Sequence, residues 1–183
     1  MTLRIVRFAS LFLVALILGL AFCHVMEIPG KLRLSGPDWL AVQHNLYIAF
    51  GVPLGAGLEL ASIALCWLLV AMVRGRRPAF GWTLAGAVSV TAGLVGWVLL
   101  VSPMNAVLDG WTADAPPPHW TDVRDRWELG HAIHAAFFAL GFAALLAAIL
   151  AETPRLVQND RPGKRVRPPA PKGRVAGRDS GAT

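Results

Sequence analysis

Cysteine, tyrosine and charge are all scarce in this chain, and each shortage narrows what it can be. Only Cys23 and Cys66 occur, with no Cys-x-x-Cys pair, so a dithiol redox centre has no residues to use. They fall near opposite ends of two apolar runs, roughly a membrane thickness apart, which excludes a disulfide between them. No Gly-rich phosphate loop, nucleophile elbow or zinc-protease motif is present. Charged residues make up 15% of the 183 positions and hydrophobic residues 55%, a balance that a soluble domain of this length could not wrap in a polar shell.

What is present is length of apolar sequence. Four runs, about Val6 to Met26, Tyr47 to Val73, Phe80 to Val101 and Gly130 to Ala151, each approach or exceed the ~20 residues that span hydrocarbon as a helix. Within lipid a spanning segment must satisfy its own backbone hydrogen bonds, so each run is expected to be helical. The fold expected is therefore all-α: an integral membrane bundle of four transmembrane helices over residues 1–153. The first run follows Arg4 and Arg7, as a secretory signal would, but its core is too long, and bulky Phe22 stands just before Cys23. It reads as a retained anchor.

Residues 154–183 are rich in Pro, Gly, Lys and Arg, bury little, and are expected to form a disordered cytoplasmic tail. Most of the formal charge of +6 resides there. The tail has no aromatic residues, so its expected partner is the anionic lipid surface and not nucleic acid. Lys and Arg also set orientation. Arg4, Arg7, Arg74, Arg76, Arg77 and the basic tail lie on one side, against Lys31, Arg33, Arg124 and Arg126 on the other. Both ends are thereby expected in the cytoplasm, with the chain in a bacterial inner membrane.

With that topology the polar residues of the runs gather at the outer face. His24 and Glu27 end the first run and share a helix face at i, i+3. Gln43, His44, Asn45 and Tyr47 enter the second, and Asn105 follows the third. Trp127, His131, His134 and Phe138 form a stripe at i, i+4, i+7 and i+11 on the fourth. Deep in the second run, Gly51, Gly55, Glu59, Ser62 and Cys66 share a face, so the carboxyl of Glu59 is directed into the bundle. It serves either as a functional acid or as a neutral group holding helices together. His24 with Glu27, and His131 with His134, are spaced to offer a metal two ligands from one helix, or to ligate haem iron axially in pairs. The bland alternative is that these histidines anchor at the lipid boundary or bridge helices. Arg124 with Glu128, and Asp122 with Arg126, are i, i+4 pairs on an amphipathic extension of the last helix after Pro116-Pro117-Pro118, and mostly solubilise it. Ser35-Gly36-Pro37-Asp38 reads as a helix start in the first loop. Ser89-xxx-Gly93 and Ala92-xxx-Gly96 permit close helix packing, within the bundle or between copies in a homo-oligomer.

The segments His24-Val25-Met26-Glu27-Ile28-Pro29-Gly30-Lys31-Leu32, Trp39-Leu40-Ala41-Val42-Gln43, Pro103-Met104-Asn105 and Arg126-Trp127-Glu128-Leu129-Gly130-His131-Ala132 resemble an uncharacterised four-helix membrane family grouped with the fungal anthrone oxygenases. The resemblance covers about residues 8 to 151. It implies a four-span fold and, for some relatives, oxidation of a polyphenolic anthrone to a quinone without a cofactor. On that implication a lipophilic aromatic molecule is the ligand of an outward-facing polar pocket. His131 is then the base that removes a proton from an activated carbon, and Asn105 or Arg124 stabilises the resulting enolate-like oxygen. Trp127 stacks on the rings and Glu27 orients a histidine, while His24, Gln43, Tyr47, Glu59 and His134 complete the binding set. The competing class is a non-catalytic membrane protein that binds a metal, haem or lipophilic ligand through the same cluster, with His24, Glu27, His131 and His134 as the metal candidates. A transporter subunit with Glu59 as its proton site is the third.

Overall fold

The computed structural model describes residues 1–48, 50 and 54–153. The tail read as disordered, 154–183, lies outside the described residues, as does Gly51. Among the described residues every regular element is a helix: α1 Thr2–Lys31, α2 Gly36–Leu46, α3 Leu54–Met72, α4 Ala79–Leu100, α5 Ser102–Leu108 and α6 Trp120–Glu152. Four stretches are long and apolar enough to cross a membrane, namely α1, α3, α4 continued by α5, and α6. The chain is a multi-pass integral membrane protein. Its exterior suits lipid: Phe8 is 70% exposed and Leu150 72%, an arrangement that water would penalise.

Three boundaries differ from the apolar runs. The first helix continues past Met26 to Lys31 and carries Pro29 in its final turn. Proline there forfeits one N–H and its bond to the preceding turn, a loss the last turn of a helix tolerates better than its middle. The second run does not begin a spanning helix at Tyr47. Residues 36–46 form a separate helix whose N-cap is Ser35, with the Asp38 N–H donating to the Ser35 hydroxyl at 3.4 Å and Pro37 in the first turn, and α3 starts only at Leu54. The fourth helix starts at Trp120, ten residues before the apolar run, because the extension after the proline run is continuous with the span. Val101 interrupts the third span and Pro103 sits in the first turn of α5.

The bundle has two halves. Where α1 begins and α6 ends, Val14, Ile17, Cys66, Leu69, Val90, Phe138 and Leu145 form a contiguous apolar core. Here α4 and α6 approach through glycine. A Cβ at Gly93 would come within 2.8 Å of the Phe138 ring, one at Gly86 within 2.8 Å of Leu145, and one at Gly141 within 2.7 Å of Val90. Ser89 donates to the Phe137 carbonyl at 2.7 Å across the same seam. The Ser89-xxx-Gly93 stripe is thus used inside the bundle. Arg7 donates to Glu152 and Arg76 stands 4.0 Å from it, joining the start of α1 and the loop before α4 to the end of α6. At the opposite end Trp39, Leu40, Val101, Leu108, Val123 and Trp127 form a second, smaller core that seats α2 and α5 on the start of α6. Between the two cores lies a cavity.

Candidate functional site

The cavity holds about 980 Å³. Polar lining comes from His24 on α1, Gln43 and His44 on α2, Tyr47 just after it, Glu59 on α3, Asn105 on α5, and Trp127, His131 and His134 on α6. Seven of the ten proposed site residues therefore meet there from five helices, and Tyr47 makes an eighth. The reason they converge is periodicity: Trp127, His131, His134 and Phe138 are all buried along one face of α6, as are Gly55, Glu59, Ser62 and Cys66 along α3.

Each imidazole has a distinct bonding state. His131 Nδ1 lies 3.0 Å from the Trp127 carbonyl oxygen. A carbonyl can only accept, so Nδ1 carries a proton, and in the neutral ring Nε2 then keeps its lone pair. His134 Nε2 is 3.0 Å from Glu59 Oε1, joining α6 to α3, while its buried Nδ1 has no partner among the described residues. His24 packs edge-on to Trp127 at 5.1 Å and Tyr47 at 4.6 Å, and its ring centre is 4.3 Å from that of His131. Its Nδ1 is likewise buried and has no partner among the described residues, with Glu27 Oε2 at 3.8 Å, beyond hydrogen-bond range. His44 Nε2 donates to the Leu108 carbonyl at 3.2 Å and fastens α2 to α5.

Asn105 Oδ1 accepts from Trp127 Nε1 at 2.7 Å. That bond occupies the oxygen and orients the amide, leaving its NH₂ as donor on a side chain that lines the cavity. Tyr47 stacks on Trp127 with ring centres 5.8 Å apart and donates its hydroxyl to Glu27. Burial and that hydrogen bond push the phenol above its ordinary pKa, so it remains a donor. Glu27 also accepts from Cys23 at 3.3 Å; Cys23 and Cys66 are both free. Glu27 does not line the cavity but holds a residue that does.

Arg124 stands apart. Its guanidinium lies over Trp120 at 5.0 Å and pairs with Asp125 at 2.9 Å, so it is not among the cavity residues and its partner is not Glu128. Glu128 instead turns inward and lies 3.1 Å from Lys31 Nζ, which is 3.5 Å from Glu27. Both Lys31 and Glu128 are only 4% exposed. Lys31 also sits 4.7 Å over the Trp127 ring. Breaking a buried pair of this kind costs about 3–5 kcal/mol, so the group braces the wall of the cavity. Sequence reasoning assigned Lys31 to a loop and Glu128 to a solvated face. The available signal was spacing: His24, Glu27 and Lys31 follow i, i+3, i+7 once the helix is allowed to run through Pro29.

Among the described residues no three His, Cys, Asp or Glu side chains are grouped to hold a metal ion. The contact between the His24 and His131 rings leaves no slot for a macrocycle between them, so these two do not present themselves as axial haem ligands in this arrangement. What the site offers is the His131 imidazole, amide and indole groups beside it, a carboxyl–imidazole pair at Glu59–His134, and aromatic faces. No family model matches the chain, and no curated protein or solved structure matches it either.

Proposed function

We propose that this is a membrane oxidoreductase of the anthrone-oxygenase kind, which takes a lipophilic hydroxyaromatic into the cavity and oxidises a ring-flanked methylene with molecular oxygen. The observation that carries the reading is the 3.0 Å contact of His131 Nδ1 with the Trp127 carbonyl oxygen. With Nδ1–H committed to the Trp127 carbonyl, Nε2 is a neutral base on a cavity-lining side chain. It removes a proton from the methylene, whose negative charge spreads to the ring oxygen. The Asn105 NH₂, oriented by Trp127, donates to that oxygen. Arg124, stacked on Trp120, is replaced in this role by Asn105.

The carbanion gives its electrons to O₂, forming a carbon–oxygen bond. The imidazolium returns its proton to the distal oxygen, so the product of this step is a hydroperoxide. Loss of the remaining methylene hydrogen as a proton, with cleavage of the O–O bond, leaves the ketone and one water. One CH₂ and one O₂ thus become one C=O and one H₂O, with no electrons drawn from a cofactor. Trp127 and Tyr47 supply ring faces, Glu27 positions Tyr47, and His24, Gln43, Glu59 and His134 complete the lining. The distribution of Lys and Arg supports a cavity mouth facing away from the cytoplasm of a bacterial inner membrane.

The test uses the full chain in nanodiscs with 1,8-dihydroxyanthrone, following oxygen uptake and the absorbance of the anthraquinone. Turnover should exceed that of empty nanodiscs, His131→Ala should fall to that background, and Asn105→Ala should lose about 10²–10³-fold. Equal rates with and without protein, or full activity in His131→Ala, overturn the proposal. A second reading, binding without turnover, is favoured by the buried Nδ1 atoms of His24 and His134, which have no partner among the described residues and so suit a ligand or water. Saturable quenching of tryptophan fluorescence by 1,8-dihydroxyanthraquinone, with no oxygen uptake from the anthrone, would select it.

A further inference from the structure

We infer that the cavity is entered sideways from the bilayer, through a slot between α3 and α4, and that its ligand is a hydroxyaromatic bearing a hydrocarbon chain that lies in this slot. The inference rests on the proposed aromatic ligand and adds its route and its shape.

The four spanning helices do not close on one another equally. The α4–α6 seam is drawn shut by Gly86, Gly93 and Gly141, where even a Cβ would collide with the facing helix. The α3–α4 seam has no such contacts. A side-chain hydrogen bond crosses it where Trp67 Nε1 donates to Thr91 Oγ1 at 3.1 Å. Toward the cavity end, the facing residues are Leu60 on α3 and Leu94 and Val98 on α4, and all three line the cavity. Leu60 is nevertheless 58% exposed and Val98 49%. Other lining side chains such as Ile17, Ala21 and Glu59 are buried. A side chain that both lines a cavity and faces outward marks a gap in its wall.

The gap lies at hydrocarbon depth. Leu60 is six residues from the start of α3 and Leu94 six from the end of α4, or ~9 Å along each helix at ~1.5 Å per residue. Both fall in stretches apolar enough to cross a membrane. The slot is therefore an apolar opening onto lipid tails, with the Trp67–Thr91 bond as its floor. An alkyl chain passes from lipid into a Leu- and Val-lined slot without meeting water. The aqueous end is different: His44 bonded to the Leu108 carbonyl draws α2 over the cavity, and an edge there carries Asp109. An alkyl chain entering by that edge would have to cross water and polar groups first. The polar atoms meet the other end of such a molecule. Asn105 and His131 lie on the aqueous side of the slot, and Glu59 is the immediate neighbour of Leu60, so a ring oxygen is satisfied inside while the chain trails outward.

Two plugs separate the routes. Leu60→Phe with Val98→Phe narrows the slot, and Asp109→Phe narrows the aqueous edge; none of these residues belongs to the proposed catalytic set. Each full-length variant is reconstituted in vesicles and mixed with donor vesicles carrying either 1,8-dihydroxyanthraquinone or its decyl derivative, with tryptophan quenching as the readout. The slot plug should slow occupancy by the decyl probe at least tenfold and weaken its binding, while the unsubstituted probe keeps its affinity. The aqueous plug should leave the decyl probe unchanged. The reverse pattern, or equal effects of the slot plug on both probes, overturns lateral entry while leaving the aromatic site standing. If the unmodified protein is quenched saturably by neither probe, the aromatic-ligand reading itself is wrong and this inference falls with it. Retained quenching by the unsubstituted probe shows that a plugged variant is folded.

Discussion

The two halves of the bundle share four spanning helices and differ in how they use them. In the closed half, small residues let α4 and α6 touch, and large apolar side chains such as Phe138 and Leu145 fill what remains. Polar groups there are consumed locally: Ser10, Thr83 and Thr91 each donate to the carbonyl four residues earlier. In the cavity half imidazoles and indoles line a void, the Lys31–Glu128 pair ties α1 to α6, and some buried polar atoms have no partner among the described residues. The lesson is that stability and chemistry are segregated along the membrane normal. Close packing between helices replaces the missing hydrophobic drive of a lipid solvent in one half. That allows the other half to keep a void and unsatisfied groups that would be costly in a bundle without such an anchor.

This contrast can be broken most severely in the closed half. Phe138→Ala removes a fully buried ring at the centre of the larger core, and should lower unfolding free energy by about 3–5 kcal/mol, measured by chemical denaturation in detergent. A loss below 1 kcal/mol would mean that this half is not the anchor. Gly93→Ala should cost about 1–3 kcal/mol by forcing a methyl against the Phe138 ring and spreading α4 from α6, read as a lowered midpoint of thermal unfolding. The smallest effect on stability is expected in the cavity half. Ala21→Leu adds volume to a buried cavity-lining position, and should change stability by no more than ~0.5 kcal/mol while abolishing saturable quenching by the anthraquinone probe. Strong destabilisation by that substitution would show that the void is not available to an added side chain, and would erase the distinction between the halves.

Much of the fold was legible before any coordinates. The four apolar runs became the spanning helices because length and hydropathy leave a lipid-embedded backbone one solution. The α6 stripe and the α3 face were legible for a related reason: residues three and four apart share a side of a helix whatever it packs against. The helix after Ser35 was legible from its cap and from Pro37. Less visible were the ends. Hydropathy ranks Lys31 and Glu128 as solvent residues, and nothing local announces that two helices carry them to the same place. The same holds for Arg124, which shares a helix with His131 and lies near it in sequence, yet points to Trp120 and Asp125.

The sequence by itself determined that this is a four-span, all-helical membrane protein, and which faces of α1, α3 and α6 carry its polar residues, since those properties follow from composition and from the 3.6-residue period alone. Only the tertiary structure decided that α2 closes over a cavity, that Lys31 joins Glu27 and Glu128, that Glu59 meets His134, and that His131 Nδ1 meets the Trp127 carbonyl. Each of these depends on where helices distant in the chain cross and on how far their backbones stand apart. Crossing points are set by side-chain packing between helices, which no local pattern encodes.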